Sequence, residues 1–235
     1  MNIKEFENKI IDELKKIIDE IITHNLELNI SAKARAGAEI SDWLEKKFVE
    51  HTNNHKYFEN SEGSPKGKTK NPWDAKTIFK INELREEIWI DFKAFKATSA
   101  NSNPDIGTPN KIIEFIESGN FYYVFVHVFY QSKDDGLEFV QSNKSYSQLY
   151  FLKNISSTFR RNPKNQLQVN ISAPPEYRTR GEFIKLLMEK IKESHTRQIE
   201  ISKRALENVD KNFDKLMKAN RNSETELTKK LKKLK

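Results

Sequence analysis

Hydrophobic residues recur at helical spacing near the start of the chain. Residues 3–24 carry isoleucine, leucine or phenylalanine every three or four positions, with charged side chains between them. This pattern predicts a long amphipathic helix that buries one side. A second helix is predicted from near Ser31 to Phe48, and the polar stretch 51–71 after it is predicted to be a loop.

The hydrophobic period then changes from helical to alternating. Residues 77–95 are typical of an antiparallel hairpin with a polar turn at about 82–86. In its second strand, Asp91 and Lys93 are two residues apart, so their side chains point to the same face. A carboxylate and an ammonium are therefore expected side by side on that face.

The second half of the chain reads as a helix, a central strand and a final helix. Thr108 as N-cap, Pro109 in the first turn and Gly119 after the end delimit a short helix. The apolar run 121–130 suits a strand buried on both faces. Shorter strands are predicted around 137–140, 150–152 and 167–171, and a capping box at Thr179 and Glu182 predicts a long last helix. The expected fold class is α/β (α+β), with a mixed central sheet flanked by helices and long N- and C-terminal helices.

Composition removes several functional classes and adds one hint. The chain has no cysteine, which excludes disulfides, a thiol nucleophile, a thiolate zinc site and an iron–sulfur cluster. A net charge of +7 permits an anionic partner without identifying it. Charges interrupt every apolar stretch, so neither a signal peptide nor a membrane span is expected. We expect a cytoplasmic protein with a single domain over residues 1–235.

Three side chains carry the candidate chemistry. In the predicted hairpin, Asp74 at the start of the first strand lies beside Asp91 at the far end of the second. Two carboxylates forced together favour a hard divalent cation, and Mg²⁺ fits best. With Lys93 to hold the attacking water, the set suits phosphodiester cleavage. The alternative is that Asp91 and Lys93 form an ordinary surface ion pair.

These residues resemble a known family. Pro72 and Asp74, with Trp73 between them, and Asp91–Lys93 resemble the two halves of the motif of the PD-(D/E)xK nuclease superfamily. Residues 34–48 are similar to the first core helix of many type II restriction endonucleases, in which a glutamate near the helix start often faces the metal site. Glu39 is the matching residue. The loop after Lys93, the short helix and the segment 179–213 resemble the HincII and EcoRV branch.

The resemblance implies a restriction-endonuclease-like core and a homodimer that embraces duplex DNA. It implies cleavage at a short palindromic site, with a companion DNA methyltransferase in the same restriction system. Asp74 and Asp91 would hold Mg²⁺, for which Mn²⁺ can substitute, Lys93 would position the water, and Glu39 would assist. In-line attack would leave 5′-phosphate and 3′-hydroxyl ends. Within the single domain, 31–130 would form the catalytic core, 131–180 the DNA-recognition region and 181–235 a C-terminal helical region with a basic tail.

DNA contacts are predicted in polar segments around this core. Such segments mix the residue types that bind phosphates and base edges, and one of 142–148, 159–166 and 173–180 is expected to read sequence. The predicted DNA-binding residues are Lys96, Thr98, Ser99, Asn101, Ser102, Asn103, Arg160, Arg161, Tyr177, Arg178 and Arg180. His127, in the apolar strand, is predicted to be a hydrogen-bonded core residue.

Two other functions remain open from the residues alone. A repair or recombination nuclease of the same superfamily would use the same side chains on branched or methylated DNA. A non-catalytic DNA-binding module would use Asp91 and Lys93 as a surface ion pair.

Overall fold

A computed structural model describes residues 1–30, 35–65, 73–98, 103–162 and 166–233 of the chain. The helices are α1 (Ile3–Thr23), α2 (Ala36–Thr52), α3 (Pro109–Glu117) and α4 (Arg180–Lys232), and Leu152–Asn154 form a 3-10 turn. The strands are β1 (Glu27–Leu28), β2 (Phe58–Gly63), β3 (Ala75–Ile81), β4 (Leu84–Lys96), β5 (Asp105–Gly107), β6 (Tyr123–Lys133), β7 (Gly136–Phe139), β8 (Ser147–Phe151), β9 (Arg160–Arg161) and β10 (Leu167–Gln168).

The main sheet is mixed and has seven strands. Its order is β1-β7-β6-β4-β3-β2, and β8 pairs with β6 as well. The central pair β4 and β6 is parallel, with α3 in the connection between them, and the other pairs are antiparallel. Strands β5, β10 and β9 form a small separate sheet. The predicted fold class, a mixed sheet flanked by helices with long terminal helices, is confirmed.

Helices α1 and α2 cover one face of the main sheet. The apolar side of α1 is buried in the same core as Ile88, Ile90 and Phe92 of β4, so this helix packs on its own sheet as its periodicity indicates. The Ser41 hydroxyl on α2 donates to the Phe92 carbonyl over 3.0 Å. Asp91 and Lys93 alternate with Ile90 and Phe92 along β4, so they lie on the opposite face of the sheet from α1 and α2.

The local predictions are confirmed in part. The two strands of the hairpin and α3 with its Thr108 cap are present as expected. The turn of the hairpin is shorter than predicted, because β4 already begins at Leu84. The prediction of a loop over 51–71 is wrong for β2, which pairs antiparallel with β3.

The chain divides into two compact units, residues 1–187 and 188–235. The capping box predicted for α4 is present, since the Thr179 hydroxyl accepts from the Glu182 N–H and the Glu182 carboxylate accepts from the Thr179 N–H. The long last helix is present and runs from Arg180 to Lys232. In the part of the chain that is described, no helix has the length and apolarity needed to cross a membrane.

Candidate active site

The hairpin register brings Asp74 next to Asp91. Ala75 pairs with Ile90, so Asp74 lies level with the residue that follows Ile90 in β4. The Phe92 N–H donates to Asp74 Oδ2 over 2.7 Å, and the Asp74 N–H donates to the Ile90 carbonyl over 2.9 Å. Both backbone neighbours of Asp91 therefore fix Asp74, and the structure brings the two predicted carboxylates together.

Lys93 completes the cluster from the same face of β4. Its Nζ lies 2.8 Å from Asp91 Oδ1, as expected for residues two apart on a strand. Asp91 is only 7% exposed, which distinguishes this pair from an ordinary surface ion pair. Among the described residues, the other carboxylate oxygen, Asp91 Oδ2, is buried without a hydrogen-bond partner. An acceptor in that state is costly unless a ligand satisfies it.

Burial and like charge act together on the two carboxyl groups. The pKa of Asp91 is raised to about 7, chiefly by burial and also by the charge of Asp74, against the opposing effect of Lys93. Burial also raises the pKa of Asp74. Burial alone would lower the pKa of Lys93, but the carboxylates of Asp91 and Asp74 outweigh it, so that pKa is raised. One ammonium thus faces two carboxylates in a desolvated site, where further positive charge would be favourable.

A third carboxylate approaches from α2. Burial raises the pKa of Glu45 to about 7, with further contributions from Asp74 and Asp42. Gly63, at the end of β2, leaves the space that Glu45 occupies, because a Cβ there would collide with its carboxylate. Glu39, which the sequence predicted for this role, is exposed. The structure therefore brings Glu45, and not Glu39, into the field of Asp74.

Sequence reasoning missed Glu45, although one signal was available. Glu45 follows Ser41 by one helical turn, and Ser41 is the α2 residue that bonds to the backbone of β4. Recognising this required knowing which side of α2 meets β4, which the apolar stripe of Ile40, Leu44 and Phe48 gives only approximately.

The carboxylates suit a divalent cation that takes oxygen ligands. No group of three or more histidine and acidic side chains in the described ranges is arranged to hold a metal ion, so a closed all-protein cage of the calcium or zinc type is not present there. Mg²⁺, in contrast, is usually held by one or two carboxylates together with water and substrate phosphates. Asp74 and Asp91, with the unpartnered Oδ2 of Asp91, match that donor set.

Aromatic rings surround the carboxylates. Trp73 precedes Asp74, and its ring lies 6.4 Å from that of Trp89, which in turn lies 4.6 Å from Phe115 of α3. Distances are between ring centroids. These rings therefore lie beside the segments of β3 and β4 that carry Asp74 and Asp91.

His127 lies behind Lys93 on the neighbouring strand. The two residues are in register across the parallel pair of β4 and β6, and His127 Nε2 is 3.2 Å from the Tyr150 hydroxyl. Burial, and then the charge of Lys93, lower the pKa of His127 to about 3. His127 is thus a neutral, hydrogen-bonded core residue, as predicted.

Some predicted DNA-binding residues are exposed near the site. Lys96 and Thr98 follow Lys93 at the end of β4, and both are exposed. Asn103 and Arg160 line one cleft of about 380 Å³. Arg161 is half-buried on β9. The predictions for Ser99, Asn101 and Ser102 lie outside the described residues.

Tyr177, Arg178 and Arg180 make internal contacts. The buried Arg178 guanidinium donates to the Ile155 carbonyl and to the Glu176 carboxylate. Arg180 Nη2 donates to the Tyr122 hydroxyl over 2.9 Å, and the Tyr177 ring lies against the ammonium groups of Lys4 and Lys153. These contacts give the three residues partners within the protein. The DNA contacts expected of them stay predictions.

The comparison with protein families identifies the class of protein: the chain is a type II restriction endonuclease. A mixed sheet that carries two carboxylates and a lysine on one face is consistent with this class. Residues 2–209 match the SwaI-like family, described as SwaI restriction endonuclease, and the chain belongs to that family. Its substrate is accordingly double-stranded DNA.

Solved structures include a similar enzyme, NlaIV restriction endonuclease. It shares 15% sequence identity with this chain at a TM-score of 0.48, and the match covers 81% of this chain and 80% of that one. No curated protein matches the chain significantly. The predicted resemblance to the HincII and EcoRV branch stays a prediction.

Proposed function

We propose that the protein is a Mg²⁺-dependent endonuclease of the PD-(D/E)xK type that cleaves both strands of a short palindromic DNA sequence. Membership of a restriction endonuclease family supports the reaction class. One observation carries the chemistry: the buried Asp91 lies beside the half-buried Asp74 and Lys93, and Asp91 Oδ2 has no hydrogen-bond partner among the described residues.

Each residue of the cluster has a proposed role. Asp74 and Asp91 hold the cation, which when bound lowers the pKa of a water and offsets charge on the phosphate. The Lys93 ammonium, held by Asp91 Oδ1, orients the attacking water in line with the leaving 3′ oxygen. Hydrolysis leaves 5′-phosphate and 3′-hydroxyl ends. Glu45 takes the assisting role that the sequence gave to Glu39, because it shares the field of Asp74.

We propose that the enzyme acts as a homodimer. A companion DNA methyltransferase belongs to the same restriction system. Two-fold symmetry presents one active site to each strand of a palindrome. Lys96, Thr98, Asn103 and Arg160 are the exposed candidates for contacts with the DNA backbone. A DNA contact by Arg161, which lies on β9 with Arg160, also stays a prediction.

The test compares two isosteric substitutions on plasmid and phage DNA. Asp91→Asn keeps the buried shape but removes the charge, so we expect loss of cleavage by about 100-fold or more. Asp134→Asn is the matched control: Asp134 is exposed in the turn between β6 and β7 with a φ of 48°, which asparagine adopts readily. It should cleave normally. Fragments should be discrete and should disappear in EDTA.

Other outcomes would identify the rival functions. Binding of DNA with no cleavage in Mg²⁺ or Mn²⁺ would indicate a non-catalytic binding module. Cleavage restricted to branched or methylated DNA would indicate a repair or recombination nuclease. Normal cleavage by Asp91→Asn would remove Asp91 from the reaction.

A further inference from the structure

A cleft of about 570 Å³ opens beside the candidate active site. Phe95 and Lys96, which follow Lys93 directly in β4, form one wall of the cleft. Phe95 is two residues beyond Lys93 and so about 7 Å further along the strand. The cleft therefore lies within reach of any duplex whose phosphate is held at Lys93.

Three side-chain amides line this cleft, those of Gln141, Asn143 and Gln148, which we call the amide cluster. Gln148 of β8 is in register with His127 of β6, which is in register with Lys93, so the three residues form one row across the sheet. None of the amides is buried. Within the described ranges none makes a hydrogen bond through its side chain. Each amide thus retains a donor and an acceptor for a ligand.

Backbone geometry fixes one member of the cluster. Asn143 and Lys144 have φ values of 51° and 64°, and Ser142 and Ser145 exchange both backbone hydrogen bonds around them, over 2.9 and 3.1 Å. This is a two-residue hairpin turn with positive φ at both central residues, formed without glycine. Such a turn costs free energy and persists only where its surroundings hold it.

Helix α1 supplies that support. The Lys15 ammonium donates to Ser145 Oγ over 2.6 Å and to the Ser147 carbonyl over 3.1 Å. The Ser147 hydroxyl donates to Asp19 of the same helix. Bonds from α1 to Ser145 and Ser147 thus hold the end of the turn where β8 begins. The orientation of Asn143 is therefore fixed before any ligand binds.

We propose that the amide cluster reads adenine edges in the major groove of the bound duplex, an inference that rests on the proposed function. A side-chain amide matches adenine, since it can accept from N6 and donate to N7 at once. Guanine is instead read by bidentate arginine or lysine. Among the described lining residues Lys96 is the single cation, and it lies at the end of β4 where phosphates would pass.

The experiment uses variants that keep the backbone conformation. Asn143→Gly removes one amide of the cluster while tolerating positive φ, and Gln148→Met removes a second amide at similar side-chain length. The matched control is Gln131→Met, at an exposed glutamine of β6 that is bonded to Glu138. Cleavage rates on duplexes with a randomised site give the recognition sequence of each protein, and thermal unfolding checks that each variant is folded.

We expect the unsubstituted enzyme to require at least one A·T pair at a fixed position of its recognition sequence. In each amide variant, kcat/KM on the preferred site should fall by about 10- to 100-fold. The penalty for replacing one particular A·T pair should disappear, while the control keeps the original specificity. Lost activity with unchanged base preference would overturn the inference, because a merely structural role lowers rate without relaxing one position.

Failure of this inference is distinguishable from failure of the proposed function. If all proteins cleave one site with the same base requirements, or that site has no A·T pair, the amide cluster does not read adenine and the endonuclease proposal stands. If the full-length enzyme cleaves nothing, the endonuclease proposal fails. Sequences selected by binding from a random pool, without Mg²⁺, then decide the inference: an adenine preference lost in the variants supports it, and its absence overturns it.

Discussion

Two glutamates on one helix lie in different surroundings. Glu39 and Glu45 are both on α2, and the turn and a half between them turns one to solvent and the other to Asp74. At the residue scale, then, the assignment of a role depends on the rotation of the helix against β4. Because both glutamates are on α2, a substitution of Glu39 is a matched control for the same substitution of Glu45.

Glu45→Gln should lower cleavage, whereas Glu39→Gln should not. We expect a loss on the order of 10- to 100-fold for Glu45→Gln, the usual cost of removing a supporting group beside metal-binding carboxylates. The measurement is the single-turnover rate at saturating Mg²⁺ and its dependence on the Mg²⁺ concentration. A loss in Glu39→Gln alone would restore the residue that the sequence favoured.

His127 should make the protein less stable in acid. Its pKa in the folded state lies near 3, below the value near 6.5 of an exposed histidine, so the unfolded chain takes up the proton first as pH falls. Stability from this group is present above pH 6.5 and is lost below it. Between pH 6.5 and 5 the loss is about 2 kcal/mol relative to a group that does not titrate.

The measurement for His127 is urea unfolding of the protein and of His127→Gln at both pH values. Glutamine can keep a hydrogen bond to the Tyr150 hydroxyl, the present partner of the histidine. Between pH 6.5 and 5, the free energy of unfolding of the variant should therefore fall by about 2 kcal/mol less than that of the unsubstituted protein. Equal slopes would show that His127 takes up its proton equally in both states.

The sequence predicts the residues whose position follows from local periodicity. Asp91 and Lys93 share a face because a strand repeats every two residues, and Asp74 joins them because a short hairpin has only one register that keeps both hydrophobic faces buried. The internal contacts of Tyr177, Arg178 and Arg180 could not be predicted. Their partners, such as Ile155 and Tyr122, are distant in the chain, and arginine alone does not show whether it faces phosphate or carbonyl oxygens.

At the element scale, a buried ion pair joins α1 to the 3-10 turn that follows β8. Glu7 of α1 and Lys153 of the 3-10 turn are each 2% exposed, with 2.9 Å between Oε2 and Nζ. The ammonium also bonds to the Arg178 carbonyl and lies over the Tyr177 ring. One lysine therefore links α1, the 3-10 turn and the segment that leads into α4.

Replacing only one member of this ion pair should lower the free energy of unfolding more than replacing both. Lys153→Met leaves a buried carboxylate without its partner, and we expect a loss of about 3–5 kcal/mol in the free energy of unfolding. Adding Glu7→Gln should recover part of that loss, because no buried charge then remains. Denaturant unfolding of the single and double variants measures the coupling, and strictly additive losses would contradict it.

The elements themselves were predictable where their period is regular. Helices α1 and α3 have clear hydrophobic periods and capping residues, and the central strand β6 is a nearly unbroken apolar run. Strand β2 does not: in FENSEG only Phe58 is buried, so its pairing depends on the backbone of β3 rather than on side chains. An edge strand of this kind has the composition of a loop.

At the scale of the whole molecule, the core ends well before the chain does. Every described residue from Ile199 onward is exposed, and the family match ends at residue 209. Burial of apolar surface stabilises a fold, so the end of α4 adds little to the stability of residues 1–187.

Deleting residues 210–235 should therefore leave the thermal unfolding midpoint within about 3 °C of that of the full chain. The measurement is calorimetry at equal protein concentration. A matched deletion of residues 1–10, which removes Phe6 and Ile10 from the core, should lower the midpoint far more. A large drop from the C-terminal deletion would show that this segment is covered in the assembled protein.

The rings beside the carboxylates also make the site visible by fluorescence. The chain has three tryptophans, and two of them, Trp73 and Trp89, are within two residues of Asp74 and Asp91 and in contact with each other. The third, Trp43, packs on Phe139 across the covered face. Since indole emission responds to nearby charge, titration with Mg²⁺ should change the intrinsic emission in a saturable way. Trp43→Phe should keep that signal and Trp89→Phe should lose most of it, so cation binding can be followed in the unlabelled enzyme without DNA.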